Sequence, residues 1–301
     1  YTGVGFSRIS VNPSLSIIYK LNYAWRFTAH ASYKERYGEM TDLYDRPYQT
    51  DYRNSVWNCG ILPVYRQQLY SVYGEYKNTA REFFATVNLT HNREWYNRIY
   101  EQRIENGQVQ RVSLPLSNHG SRYTVKSTLS KGFYELGLKT SFLVLLNISK
   151  AEQISGGQRL PYQYRLIRLE PKVIWTPNRH WETSYQTDIR YGGNKIGERT
   201  RLAPLWNVTQ QVQLSYIFSP IEASLSVDHY HNDVNEDQSV NAVFADFSVS
   251  WKSGRWQITA TATNLFDKRT YAYTRYASLE SYTSWVRIRP REFLVAIRYQ
   301  L

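Results

Sequence analysis

Residues 181–190 read WETSYQTDIR, and their alternation decides the fold class. Trp181, Thr183, Tyr185, Thr187 and Ile189 alternate singly with Glu182, Ser184, Gln186, Asp188 and Arg190. Successive side chains of a β-strand point to opposite faces, so a period of two marks a strand with one apolar and one polar face. The period recurs in both directions along the chain. Trp25, Phe27, Ala29, Ala31 and Tyr33 alternate with polar neighbours, and Val243, Ala245, Phe247, Val249 and Trp251 alternate with a set that includes Asp246, Ser248, Ser250 and Lys252. No stretch carries a helical period of useful length.

Extending this reading gives thirteen expected strands, at 10–20, 24–36, 63–76, 81–98, 119–130, 134–149, 162–175, 180–191, 207–218, 221–230, 240–252, 255–270 and 284–301. Short connections fall at 20–24, 77–80, 131–133, 176–179, 219–220 and 253–254. Long ones fall at 37–62, 99–118, 150–161, 192–206, 231–239 and 271–283. Short and long connections alternate without exception, as in an up-and-down meander with all its turns on one rim and all its loops on the other. Transmembrane β-barrels have that asymmetry.

Composition agrees. The 301 residues include 27 tyrosines and 9 tryptophans, an aromatic share of 16%. Each buried phenol needs a hydroxyl partner, whereas a water–lipid boundary suits a ring with a wet tip. Trp25, Trp181, Trp256 and Phe218 lie at short-turn ends of their strands, and Tyr33, Tyr191 and Tyr273 near the opposite ends. Two such girdles belong to a barrel, not to a soluble sandwich. The densest apolar run, 142–146, is far shorter than the ~20 residues of a spanning helix. The negative mean hydropathy is compatible with a barrel, because only alternate residues face lipid. Cys59 stands alone and reads as an incidental loop thiol. The net charge of +12 is spread over the whole length, with no nucleic-acid-binding motif.

Near the C-terminus stands Asn264-Leu265-Phe266-Asp267-Lys268, then an aromatic interval, then Pro290-Arg291-Glu292-Phe293 and a last strand. Asn and Asp can hold a rim bend through side-chain to backbone bonds, and Pro suits a place where a ladder bond is missing. This arrangement resembles the C-terminal end of TonB-dependent outer-membrane receptors. There an N-L-F-D-K-like motif ends the span of the penultimate strand, and a P-R-x-F-like motif opens the last. The resemblance implies an all-β transmembrane barrel of 22 strands, with residues 1–301 as a single barrel domain supplying the last thirteen. It also implies a plug and a TonB-contacting box, both expected upstream of Tyr1. The family often ends in an aromatic residue, whereas this chain ends Arg298-Tyr299-Gln300-Leu301, which leaves Tyr299 to take that place. The implied function is binding of an extracellular nutrient and its import with TonB-derived energy. The partners that follow are outer-membrane lipid and lipopolysaccharide, the TonB system, and a small-molecule, peptide or glycan ligand, in a Gram-negative outer membrane. No nucleic-acid partner and no cofactor are expected.

Candidate ligand contacts come from the loops. Tyr44, Tyr48 and Trp57, with Arg36 and Arg46, combine flat rings and guanidinium forks suited to an anionic, partly aromatic ligand. Arg201 and Trp206 form a second, smaller set. The polar wall is expected to include Arg26, Lys126, Arg165 and Arg190 opposite Glu182, Asp188 and Asp246. His229, His231 and Asp233 share a face but read as a solvated loop shoulder, not a metal site. No catalytic constellation stands out. Import is therefore the leading reading, with a structural or assembly barrel second and a barrel hydrolase last.

Overall fold

The computed structural model describes residues 9–105, 108–197, 200–201, 204–234, 237–276 and 281–300. The chain opens with β1 (Ser14–Lys20) and β2 (Trp25–Tyr37), then passes a loop holding β3 (Tyr48–Gln49) and β4 (Asn54–Trp57). β5 (Val64–Asn78) and β6 (Phe83–Tyr96) follow, then a hairpin of β7 (Ile99–Glu105) and β8 (Gln108–Leu114). Next come β9 (Asn118–Phe133), β10 (Leu138–Ser155), β11 (Gln158–Asn178), β12 (Trp181–Ile196) and the short β13 (Thr200–Arg201). β14 (Leu205–Phe218), β15 (Ile221–Asp233), β16 (Ser239–Ser253) and β17 (Trp256–Thr263) continue. A separate hairpin of β18 (Thr270–Tyr276) and β19 (Ser281–Arg287) leads to β20 (Glu292–Tyr299).

Setting aside the short strands of the connections, thirteen strands form one antiparallel meander, in the order β1, β2, β5, β6, β9, β10, β11, β12, β14, β15, β16, β17, β20. The number and order are those expected from the alternation. Among the described residues, β1 pairs only with β2 and β20 only with β17, so the sheet has two unpaired edges.

Three expectations need correction. Residues 150–161 are not a long loop: β10 and β11 run on to a two-residue turn at Gly156-Gly157, both at positive φ (57° and 74°). Paired positive φ angles match the right-handed twist of a hairpin, and glycine adopts them without strain. The expected last two strands are each interrupted, at 264–269 and at 288–291, and most of the expected 271–283 loop belongs to the β18–β19 hairpin, which pairs outside the main sheet and lies against β15 and β16, so Tyr273 is not in a wall strand. Arg165 is not on the polar wall. It pairs opposite Ile148, which pairs opposite Tyr123, so it stands on the apolar face.

The two faces differ sharply. On the polar face hydroxyls and amides pair across strands. Ser224 Oγ lies 2.8 Å from Ser248 Oγ, and Asn147 Nδ2 donates to Thr124 Oγ1 at 3.1 Å. The apolar face is uncovered: Val72, Leu89, Ile167, Phe247 and Val295 are 53%, 47%, 40%, 41% and 65% exposed. The buried apolar residues among those described are Ile99, Val112, Ile154, Leu205, Ala242, Ala245 and Ala272, far too few for the core of a soluble domain of this size. Aromatic pairs bound the uncovered band. Trp25–Tyr76 (4.8 Å), Trp181–Tyr216 (4.6 Å) and Trp256–Tyr299 (4.7 Å) lie toward the turns, while His91–Tyr123 (4.2 Å) and Tyr191–Trp206 (4.6 Å) lie toward the loops. From Trp181 to Tyr191 along β12 is ~33 Å of strand, or roughly 23 Å of height at a ~45° tilt, close to the ~25 Å apolar band of outer-membrane barrels.

Candidate functional site at the loop rim

Two long connections merge above the wall. β4 pairs parallel with β8 (Asn54 opposite Val109, Trp57 opposite Val112), β8 pairs with β7, and β7 meets the upper edge of β10 at Ile154 opposite Glu101. The loop after β2 and the loop after β6 are thus one structural unit.

Arg98 pins this unit to the wall. Its Nη1 donates to Asp42 Oδ1 (3.0 Å) and its Nη2 to the Tyr65 hydroxyl (2.7 Å), and the guanidinium lies 4.9 Å from the Tyr100 ring centroid. The side chain is only 6% exposed, so the pair works in a weakly screened setting. Asp42 in turn accepts from the Glu39 amide and so holds the 3₁₀ turn at Met40–Leu43. The Arg111 guanidinium also lies over the Tyr100 ring, 3.7 Å from its centroid. Glu101, also buried, takes Arg103 Nη2 (2.7 Å) and the Gly157 amide (3.0 Å). The Arg103 hydrogen bond holds its carboxyl below the ordinary glutamate value, against the opposing effect of burial. Asp51 shapes the β3–β4 turn by accepting from Asn54 Nδ2 (2.7 Å) and from the amides of Arg53 and Asn54, and these bonds hold its carboxyl low.

On this unit sit four expected ligand contacts. Tyr44 and Tyr48 are exposed and meet edge to face at 6.0 Å, a favoured geometry for paired rings. Trp57 is 41% exposed, with Nε1 bonded to the Asp45 carbonyl (2.8 Å). Arg46 is exposed in the same loop, and Arg36 reaches Gln67 on the polar face below (3.4 Å). The second set does not join them. Trp206 stands on the apolar face against Tyr191, in the upper aromatic belt. Arg201 is placed by backbone pairing with Lys195, and its side chain lies outside the described residues.

The C-terminal motif forms a clasp. Asn264 and Asp267 both adopt positive φ, 50° and 51°. Asn and Asp tolerate that conformation better than most residues. Asn264 Nδ2 donates to the carbonyls of Lys268 (2.8 Å) and Arg289 (2.9 Å), and its Oδ1 accepts from the Lys268 amide (3.0 Å). Asp267 Oδ1 accepts from the Arg291 amide (3.0 Å), and Arg269 holds Oδ2 at 2.9 Å and keeps that carboxyl below its usual value. The stretches 264–268 and 289–291, on either side of Pro290, are tied together where β17 stops and β20 begins. Leu265 is half-buried, Phe266 is exposed, and Phe293 stands on the apolar face opposite Ala262.

Two polar-face features go beyond the expected wall residues Asp188, Arg190 and Asp246. Under the clasp lies a hollow of about 570 Å³ lined by Asp228, Tyr230, Phe244, Asp246, Tyr271 and Glu292. Further along the wall an ion ladder links Glu170 to Arg168 (2.5 Å), Arg168 to Asp188 (3.0 Å) and Asp188 to Arg190 (2.6 Å). The nearest visible signal was the excess of charge at polar-face positions. On the apolar side, His231 Nε2 lies 3.3 Å from Asp233 Oδ1 and its Nδ1 2.9 Å from Asn241, while His229 turns to Gln210 (3.3 Å).

No protein-family model and no curated protein matches the sequence. Among solved structures the chain is similar to the ferric yersiniabactin uptake receptor FyuA from Yersinia pestis, at 9% identity and a TM-score of 0.48, over 97% of this chain and 50% of that one. FpvA of P. aeruginosa, solved with heterologous pyoverdines, overlaps at 11% identity and a TM-score of 0.47, over 96% of this chain and 44% of that one. The translocator domain of the autotransporter NalP from Neisseria meningitidis overlaps at 10% identity and a TM-score of 0.29, over 93% of this chain and 89% of that one. The chain thus spans about half the length of the two receptors. No residue role or ligand is carried over from any of them.

Proposed function

We propose that this chain is the C-terminal part of the barrel of a TonB-dependent outer-membrane receptor, which binds a nutrient outside the cell and imports it. One observation carries the membrane reading: a sheet with an uncovered apolar face, bounded at both ends by aromatic belts. A sheet must bury its apolar face against something, and paired aromatic girdles fit lipid. The clasp at Asn264 and Asp267, with Pro290 and Arg291, supports the family. It gives physical roles to the residues on which the resemblance rests. The unit of β3, β4, β7 and β8 supports ligand capture, since it presents rings and guanidinium groups on a braced platform.

Arginine scanning tests the membrane reading. Arginine at Phe247 or Val295, on the apolar face, is expected to destabilise by ~2–4 kcal/mol near the bilayer midplane. Arginine at Ser248 or Ala296, on the polar face, should be tolerated. Equal damage on both faces would overturn the reading in favour of a buried soluble core. For the ligand, alanine at Tyr44, Arg46 and Trp57 together should weaken binding at least tenfold while the barrel still assembles, each exposed anchor contributing ~1–2 kcal/mol. Unchanged nutrient uptake in that triple variant would move recognition to other loops.

A further inference from the structure

The apolar face is not uniform above its lipid-facing band. One register row, Val72, Leu89, Val125, Leu146 and Ile167, is wholly apolar. Two residues higher the row becomes Tyr70, His91, Tyr123, Ile148 and Arg165, and its first three rings stack at 6.3 Å and 4.2 Å. Two residues higher again it reads Arg93, Ser121, Lys150, Gln163 and Lys195. Apolar, aromatic and basic side chains therefore follow one another up the same strands.

Two concavities match that gradient. A groove of about 490 Å³ is walled by Leu15, Ile17, Val72, Leu89 and Val125, with the small Ala29 and Ala31 leaving room between larger neighbours. Above the aromatic row, a depression of about 370 Å³ is bordered by His119, Ser121, Lys150, Gln163 and Lys195. The acidic groups near it are already engaged. Glu152 is held by Arg159 at 2.6 Å with His119 at 3.9 Å, and Glu35 is held by Arg66 at 2.9 Å. Arg93, Lys150, Arg165 and Lys195 have no ion pair with a carboxylate among the described residues.

The basic patch is local. Toward the loop ends of β14, β15 and β16 the apolar face carries Gln210, His229, His231 and Asn241, with no lysine or arginine among these positions. A general collar against the membrane surface would continue around the wall; a seat for one ligand would not.

Resting on the membrane reading above, we propose that this face binds a lipid of the outer leaflet that carries more than one phosphate. Arg93, Lys150, Arg165 and Lys195 hold its phosphates, and the groove beside Ala29 and Ala31 takes an acyl chain. Adjacent strands lie ~4.8 Å apart, so the four strand spacings from Arg93 to Lys195 span ~19 Å, beyond the joint reach of two side chains onto one phosphate. Cations at the height of lipid headgroups are drawn to anionic lipid in just this position.

The test uses protein extracted from membranes in mild detergent, with lipid binding read by native mass spectrometry. The probes are lipid A with two phosphates, phosphatidylglycerol with one, and inorganic phosphate. Lipid A is expected to bind at least tenfold more tightly than phosphatidylglycerol. The variant Lys150→Gln, Arg165→Gln, Lys195→Gln should lose at least tenfold, Lys150→Arg with Lys195→Arg should keep binding, and Lys126→Gln on the polar face should change nothing. Equal lipid A affinity in the wild type and the glutamine variant would overturn the proposal. So would competition by millimolar inorganic phosphate, which would indicate a free-anion site. Loss of binding in the arginine variant as well would show a packing effect and equally overturn it. Protein that leaves the membrane without detergent would instead sink the membrane reading, whereas detergent-dependent protein with no lipid preference sinks this proposal alone.

Discussion

The rim solves one problem twice, how to stop a wall strand and lead the chain into a loop. At residues 264–291 the solution is mainly local. Asn264 and Asp267 turn the backbone with their own side chains and reach across to Arg289 and Arg291. At residues 38–63 and 97–117 it is remote. Arg98 joins Asp42 and Tyr65 across 56 and 33 residues, and β4 lies beside β8. The local clasp depends on a few short-range bonds and positive φ angles. The remote brace depends on a buried charge whose partners must arrive from elsewhere, so it should fail as a unit.

The largest expected effect tests that cooperativity. Arg98→Met leaves Asp42 without its ionic partner in a confined site and should destabilise the rim by ~3 kcal/mol. Hydrogen exchange should then show faster amides in β4, β7 and β8 together, with residues 264–291 unchanged. Loss of protection in β7 alone would break the contrast. Asn264→Ala comes next, at ~2 kcal/mol, since it removes three bonds and leaves the Lys268 and Arg289 carbonyls to find other partners. Its effect should remain between Thr263 and Arg291. Spread of that effect to β7 and β8 would show that the clasp is not local.

Glu101→Gln should have a smaller effect, ~1 kcal/mol, because the Gly157 amide can still bond to an amide oxygen while the charge assistance from Arg103 is lost. Its signature is faster exchange in β7 with little change in β4. The smallest effect comes from acid. Glu101, Asp51 and Asp267 are all held below their ordinary carboxyl values. Each therefore favours the folded rim above that ordinary value and loses its contribution as pH falls through the depressed one. Rim protection should hold down to about pH 4.5 and fade below it. Fading at about pH 6 to 7 would require histidine, not these carboxylates.

The same contrast explains what could be read in advance. The thirteen wall strands were legible because a half-exposed strand records its two faces residue by residue. The clasp was legible because its donors and acceptors lie within one short motif and its partner. Arg98 was invisible, since no local pattern marks an arginine whose partners lie 33 and 56 residues away. The β10–β11 hairpin was misread because its upper residues lose the alternation once they rise above the apolar band. Arg165 was assigned to the polar wall because charge was taken as a sign of the lumen, whereas register follows Ile167 and Leu169.

That hairpin also imposes an order of events on the rim. Its strands, Leu138–Ser155 and Gln158–Asn178, are the longest in the sheet, and the upper edge of β10 supplies the pairing partner of β7, while the turn beyond it supplies the Gly157 amide that Glu101 takes. The loop after β6 is synthesised first but can be seated only after residues far downstream have folded. Completion of the rim therefore runs partly backwards along the chain: in a polypeptide halted before Leu138, β8 could still join β4, but the outer edge of β7 would have no β10 to meet and Glu101 no Gly157 amide.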